Sequence, residues 1–298
     1  MDQKAYAPLP RMICSRTNFA KVQPVLVVEK PDDGFKLFHV GPAPKVDIVA
    51  VHGLGGHREK SWTTPDGVNW LRSLLSQDIP NSRIMSWGYN ASSGPGQEQH
   101  SLQNLSEKLV LDLYRLREMT KTQTRPIIFM AHSLGGSIVK SALVFSDLER
   151  ERPASRLDVI SASTRGIFFF DTTELGISTH GMSKYLKSVE GSDQENSDIF
   201  KEAKWLLSVL NQYLSNSAKY RNVYVTPRNG QEAIQKEEKG DASSSQINSS
   251  YIVISASHNM INKFGSVEDE GYVKIKEEIS DILEESSWST DSHVKWDK

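Results

Sequence analysis

A layered α/β fold with a mostly parallel sheet and helices on both faces is what this sequence predicts, from three observations. Short β-rich runs alternate with segments of helical period along the chain. Several of those runs, such as Ile127 to Ala131 and Ile167 to Phe170, are apolar almost throughout, as central strands covered on both sides must be. No internal repeat suggests a solenoid or propeller instead.

The strands expected are Val25 to Val28, Phe35 to Val40, Val46 to Val51, Arg83 to Trp87, Pro126 to Ala131, Gly166 to Phe170, Asn222 to Thr226 and Tyr251 to Ser255. That is a sheet of about eight strands. Between them, Leu102, Leu105, Leu109, Leu113 and Leu116 recur at three- and four-residue steps over Ser101 to Met119, which makes one helix face apolar. Ile199, Ala203, Leu206, Leu207, Leu210 and Leu214 form a second stripe, and Tyr272, Ile275, Ile279 and Ile282 a third. Gly191 to Ser197, Arg228 to Ser250 and Glu284 to Lys298 are rich in Ser, Gly, Asn and charge, with little apolar area to offset the entropy of ordering them. The organisation expected is an extension over residues 1–24, one α/β domain over 25–283 interrupted by a flexible polar loop at 228–250, and a polar tail at 284–298.

Composition narrows the function classes. Of 298 residues, 38% are hydrophobic and 24% charged, which suits a globular protein with a real core. Lys plus Arg total 35 against 37 Asp plus Glu, so no excess of cations is available to neutralise a nucleic-acid backbone. The single cysteine, Cys14, excludes an internal disulfide and a cysteine-rich zinc site and points to a reducing compartment. The first residues lack the apolar core of a secretory signal, and nowhere do about 18 apolar residues run together. Asn90-Ala91-Ser92 and Asn104-Leu105-Ser106, though they match the glycosylation pattern, carry no weight without an export signal. A cytoplasmic protein is expected.

The chemistry centres on Ala131-His132-Ser133-Leu134-Gly135-Gly136, which follows a buried strand and opens a helical pattern. A strand, sharp turn and helix of this kind raise a serine hydroxyl at the top of a sheet, so Ser133 is the candidate nucleophile. Ala131 stands at the first small position, and Gly135 and Gly136 let the helix approach closely. Upstream, the strand Val46 to Val51 ends in His52-Gly53-Leu54-Gly55-Gly56. The N–H of Leu54 and that of Leu134 are the two candidate donors for an oxyanion. The loop lacks the Lys-Ser/Thr ending of a phosphate cradle, and His52 and His57 read as loop-shaping or surface residues.

A serine near neutral pH needs a base, and eight histidines compete. If the turn is that of an α/β-hydrolase, the chain order is serine, acid, histidine, which removes His39, His52, His57, His100 and His132. His180 comes before the penultimate strand and His293 sits in the polar tail. His258 follows the last strand, on the same sheet edge as Ser133, and is the candidate base. For the acid two places stay open. Asp171 directly follows Gly166 to Phe170 and is anchored at a rigid strand end, while Glu232 trails Asn222 to Thr226, with Glu237, Glu238 and Asp241 further along the polar loop.

At these residues the chain resembles the α/β-hydrolase superfamily, and within it the serine esterases or lipases related to the serine active site-containing proteins, including the hydrolase-like domains of fungal NACHT-type receptors. The resemblance rests on Val51 to Gly56, Ser86-Trp87-Gly88-Tyr89-Asn90, Ala131 to Gly136, and Ala256 to Phe264 with Gly271-Tyr272 beyond. It implies Ser133 as nucleophile and His258 as general base. The family usually has Gly-Thr-Pro-His where Asp171-Thr172-Thr173-Glu174 stands, and a carboxylate at the end of the next strand where this chain reads Val225-Thr226-Pro227-Arg228.

The expected activity is therefore that of a serine esterase or lipase-like acyl hydrolase, working without metal or organic cofactor on a small-molecule or lipid ester. No transmembrane segment and no nucleic acid are expected; peripheral contact with a membrane and the oligomeric state are left open. Relatives linked with mitochondria and endoplasmic reticulum make those the alternative locations. The rival reading is a weak or inactive hydrolase fold that serves as an interaction module, and thioester or peptide hydrolysis would use the same machinery.

Overall fold

The computed structural model describes residues 32–90, 101–152, 154–172, 198–228 and 248–289. Its strands are β1 (Gly34–Val40), β2 (Val46–Val51), β3 (Ser82–Gly88), β4 (Ile127–His132), β5 (Thr164–Phe170), β6 (Arg221–Pro227) and β7 (Ser249–Ile254). Its main helices are α1 (Leu102–Met119), α2 (Leu134–Leu148), the short α3 (Val159–Ser163), α4 (Asp198–Asn216) and α5 (Glu270–Ser289). The strands form one sheet in the order β1-β3-β2-β4-β5-β6-β7, with β1 antiparallel to β3 and every other pairing parallel.

β2 and β4 are buried at every position because helices cover both faces of the sheet. Successive side chains point to opposite sides. Val49, Phe129, Ala131 and Phe169 join the core under α1, α2 and α4. Ile48, Met130, Phe168 and Phe170 join the other, closed by α5 and by Trp62 and Trp70 from the segment after β2. The strand order matters for function. From β2 the chain steps outward to β3 and returns on the other side of β2 as β4, so the loops that follow β2 and β4 face each other across the switch point.

The expected strands agree with these elements, except that Val25 to Val28 lies outside the described residues, as does Gly191 to Ser197. β7 begins at Ser249, inside the stretch read as loop, because Ser249 and Ser250 pair with Asn222 and Val223 of β6. The last helix runs to Ser289, past the expected start of the tail at residue 284. In α4, Leu206 and Leu210 are core residues, but Leu214 is exposed and Tyr213 takes the inward place beside it. Among the described residues no helix is long and apolar enough to cross a membrane.

One feature at the N-terminal edge of the sheet breaks the apolar pattern. Asp47 of β2 is wholly buried and accepts from Arg83 Nε (2.9 Å) and Nη2 (2.7 Å), Arg117 Nη1, and Arg125 Nη1 (3.0 Å). Arg117, itself fully buried on α1, also donates to the Gln123 and Arg125 carbonyls and so ties the helix end to the start of β4. Burial pulls the Arg117 guanidinium down to about 10, against the pull of Asp47, so it stays charged at neutral pH. Asp47→Asn leaves those cations buried without their counter-charge. The expected loss is about 3 to 5 kcal/mol, read as a fall in the urea midpoint at unchanged slope.

Candidate active site

β4 ends at His132, and the next residue, Ser133, sits at φ 51° and ψ −123° before α2 begins at Leu134. A non-glycine residue at positive φ is strained, and it persists only where its surroundings leave no alternative. Here the Ser133 N–H donates to the Phe170 carbonyl of β5 (3.0 Å), and its carbonyl accepts from Gly136 N (2.9 Å). Two glycines make the bend passable. A Cβ on Gly53 would stand 2.8 Å from the Ser133 Cβ, and one on Gly135 would stand 2.4 Å from the Val51 carbonyl oxygen. The Leu134 N–H belongs to the first turn of α2, whose donors have no intrahelical acceptor, at the positive end of the helix dipole.

The loop after β2 closes as a turn from Gly53 to Gly56 (Gly56 N to Gly53 O, 3.0 Å), with Gly55 at φ 64°. Leu54 is the second residue of this turn, its side chain 61% exposed. Beneath it His52 is buried, so it is not a surface residue, and its contact with the Gly53 carbonyl (2.9 Å) fits the expectation of a loop-shaping one. Its ring is stacked on Tyr89 at 4.3 Å with 1° between the planes, and the Tyr89 hydroxyl donates to the His52 carbonyl (2.8 Å). Burial pulls the His52 imidazole down to about 4 and pushes the Tyr89 hydroxyl up. His57 instead pairs with Asp32 (2.8 Å), and His39 contacts the Pro80 carbonyl (3.0 Å).

His258 stands on the loop after β7, its side chain 46% exposed, with Nδ1 2.6 Å from Asp171 Oδ2. Asp171 follows β5 at φ 41° and donates its N–H to the Val225 carbonyl of β6 (2.8 Å), so a second strand steadies the carboxylate. The loop that bears His258 is anchored further by Trp70 Nε1 on the Asn262 carbonyl (2.8 Å) and Asn262 Nδ2 on the Ser61 carbonyl (2.8 Å). The other acid considered, Glu232, lies outside the described residues, with Glu237, Glu238, Asp241, His100, His180 and His293.

His132 and Tyr89 are the residues sequence reasoning passed over as parts of the site. Chain order rejects His132 as a base and asks nothing else of it. Yet it is 8% exposed, its Nε2 lies 2.9 Å from the His258 carbonyl oxygen, and the two rings are 4.8 Å apart at 38°. Burial pulls it down to about 4, helped by nearby His258 and opposed by its bond to the His258 carbonyl. Among the described residues no group of three or more His, Cys, Asp or Glu is placed to hold a metal ion.

The two buried imidazoles set a pH dependence. In the unfolded chain they titrate near 6.5, so between that pH and about 4 the unfolded state binds more protons and stability falls as the pH drops; above 6.5 they add no slope. The urea midpoint is expected to decline through that window, and to decline less in a His132→Gln variant.

No family model matches the chain. Protein SERAC1 of Danio rerio is 29% identical over an alignment 173 residues long, with coverage of 50% of this chain and 26% of that protein. Its Homo sapiens counterpart is 25% identical over 171 residues, 50% of this chain and 25% of that one. The chain thus matches about a quarter of the length of these curated relatives. Among solved structures, a soluble variant of monoglyceride lipase from Saccharomyces cerevisiae superposes with a TM-score of 0.52 at 11% identity, over 84% of this chain and 91% of that one. Strand order, the strained serine turn between β4 and α2, and this likeness of architecture lead to one conclusion: the fold is that of the α/β-hydrolases.

Proposed function

We propose that the protein is a serine hydrolase that cleaves carboxylic esters through an acyl-enzyme on Ser133. The observation that carries this reading is the 2.6 Å contact between His258 Nδ1 and Asp171 Oδ2, formed by loops 87 residues apart at the sheet edge that also bears Ser133. With the Nδ1 proton held by Asp171, His258 Nε2 is left as the acceptor for the serine proton. Ser133 Oγ attacks the ester carbonyl as that proton moves to His258, and the tetrahedral oxyanion is held by the N–H groups of Leu54 and Leu134. The imidazolium returns the proton to the departing alcohol. Water, deprotonated by His258, then attacks the acyl-serine, and release of the carboxylic acid restores Ser133.

Asp171 takes the role of triad acid at the end of β5. Its anchoring to β6 supports that assignment, since a carboxylate that must orient an imidazole needs little freedom of its own. The exposed Leu54 side chain offers an apolar contact beside one oxyanion donor, which suits an acyl chain. A small or lipid ester is the substrate class this favours, in keeping with the monoglyceride lipase whose architecture is shared.

Purified protein is expected to release p-nitrophenol from acyl esters and to gain the mass of a fluorophosphonate on Ser133. Ser133→Ala should abolish both without moving the urea midpoint downward, and Asp171→Asn should lower kcat by about 10⁴ through loss of the correct imidazole tautomer. Wild-type protein with neither a burst nor an adduct would overturn the reading in favour of an interaction module.

A further inference from the structure

We propose that His132 is a positioning residue of this reaction, its Nε2–H donated to the backbone carbonyl of His258 so that the base loop stays in register with the nucleophile turn. The proposal rests on the serine hydrolase reading above and deepens it.

A carbonyl oxygen only accepts, so the 2.9 Å contact requires the proton on His132 Nε2. The ring is also held from the other side. A Cβ added to Gly53 would fall 3.3 Å from His132 Nδ1, and 3.1 Å from the His132 carbonyl oxygen. The imidazole is therefore wedged between the oxyanion loop and the base loop, while its own backbone leads directly into Ser133.

Trp70 and the Asn262 side chain anchor the base loop four residues past the imidazole, so the backbone at His258 itself needs a strap of its own. Its internal turns run from Met260 N and Ile261 N to the Ser257 carbonyl and from Lys263 N to the Met260 carbonyl, so the His258 carbonyl is the one offered to His132. The His258 side chain is nearly half exposed, and little packing holds it. Asp171 fixes the rotation of the ring through Nδ1 and the anchors at Asn262 hold the far side of the loop, but neither holds the backbone at His258, whose movement would carry Nε2 away from Ser133. His132 must also stay neutral. A cation whose ring centre lies 4.8 Å from that of His258 would oppose the imidazolium that forms as the serine proton is taken, and burial keeps His132 uncharged at neutral pH.

Three variants separate positioning from packing. His132→Gln places an amide N–H at nearly the reach of Nε2, His132→Phe keeps the ring volume without the donor, and His132→Asn keeps a donor that falls short. The glutamine variant is expected within a few-fold of wild-type kcat, and the other two about 10²-fold lower with KM for a p-nitrophenyl ester unchanged, as for a misplaced catalytic group. Amide hydrogen exchange over residues 256–264 should quicken in the phenylalanine and asparagine variants but not in the glutamine one. A fluorophosphonate-labelled wild type whose phenylalanine variant matches or exceeds the glutamine variant in kcat, or whose base loop exchanges alike in all forms, overturns the inference alone. A wild type that takes no label overturns the hydrolase reading and this inference with it.

Discussion

At the C-terminal edge of the sheet two backbones touch where no side chain fits, and the geometry of the edge follows from that contact. The loop after β2 passes so close to the turn after β4 that a single carbon on Gly53 would overlap Ser133. The strained serine has no room to relax, which is how a cost of order 1 to 3 kcal/mol is kept in place. Because the Ser133 amide is bonded to the last residue of β5, the same bend fixes where β5 ends and hence where Asp171 stands. Asp171 then reaches His258. A contact of van der Waals size thus propagates, through two hydrogen bonds and one residue of chain, into the placement of a carboxylate against an imidazole.

The two ends of the sheet handle buried polarity differently. At the N-terminal end a buried carboxylate accepts from three guanidinium groups, one of which also donates to the Gln123 and Arg125 carbonyls ahead of β4, an arrangement that closes α1 onto β2 and β4. At the other end the buried polar rings are neutral imidazoles, each spending its nitrogens or its face on the backbone and rings around it. Charge is concentrated at the first end, whereas at the second the buried rings are uncharged and the Asp171 carboxylate lies against the half-exposed His258.

Much of this was legible in the sequence, for local reasons. Apolar runs such as Ile127 to Met130 admit few alternatives to a central strand, and small residues around Ser133 announce a crowded turn. Asp171 is the better-anchored of the two carboxylates considered, since a strand end needs less ordering than a polar loop, and it is found against His258, while Glu232 lies outside the described residues. What escaped depends on contacts between distant segments. His132 meets His258 across 126 residues, and nothing near either position marks the encounter. Arg117 looks like a solvent-facing arginine at the end of an amphipathic helix, and only the placement of Asp47 beneath it makes the site a core position. Leu214 fails in the opposite sense, since the periodic stripe of α4 outlasts the surface it covers.

The position of the carboxylate at the end of β5 has an evolutionary corollary. Under the proposed reaction, with Asp171 steadied by the Val225 carbonyl and already in contact with His258, the stretch joining β6 to β7 is released from supplying a chemical group. Insertions and deletions between Pro227 and Ser249 would then be screened only for their effect on pairing of the two strands. Within the proposed reaction, sequence change in that stretch would leave the nucleophile, the imidazole and its carboxylate partner in place.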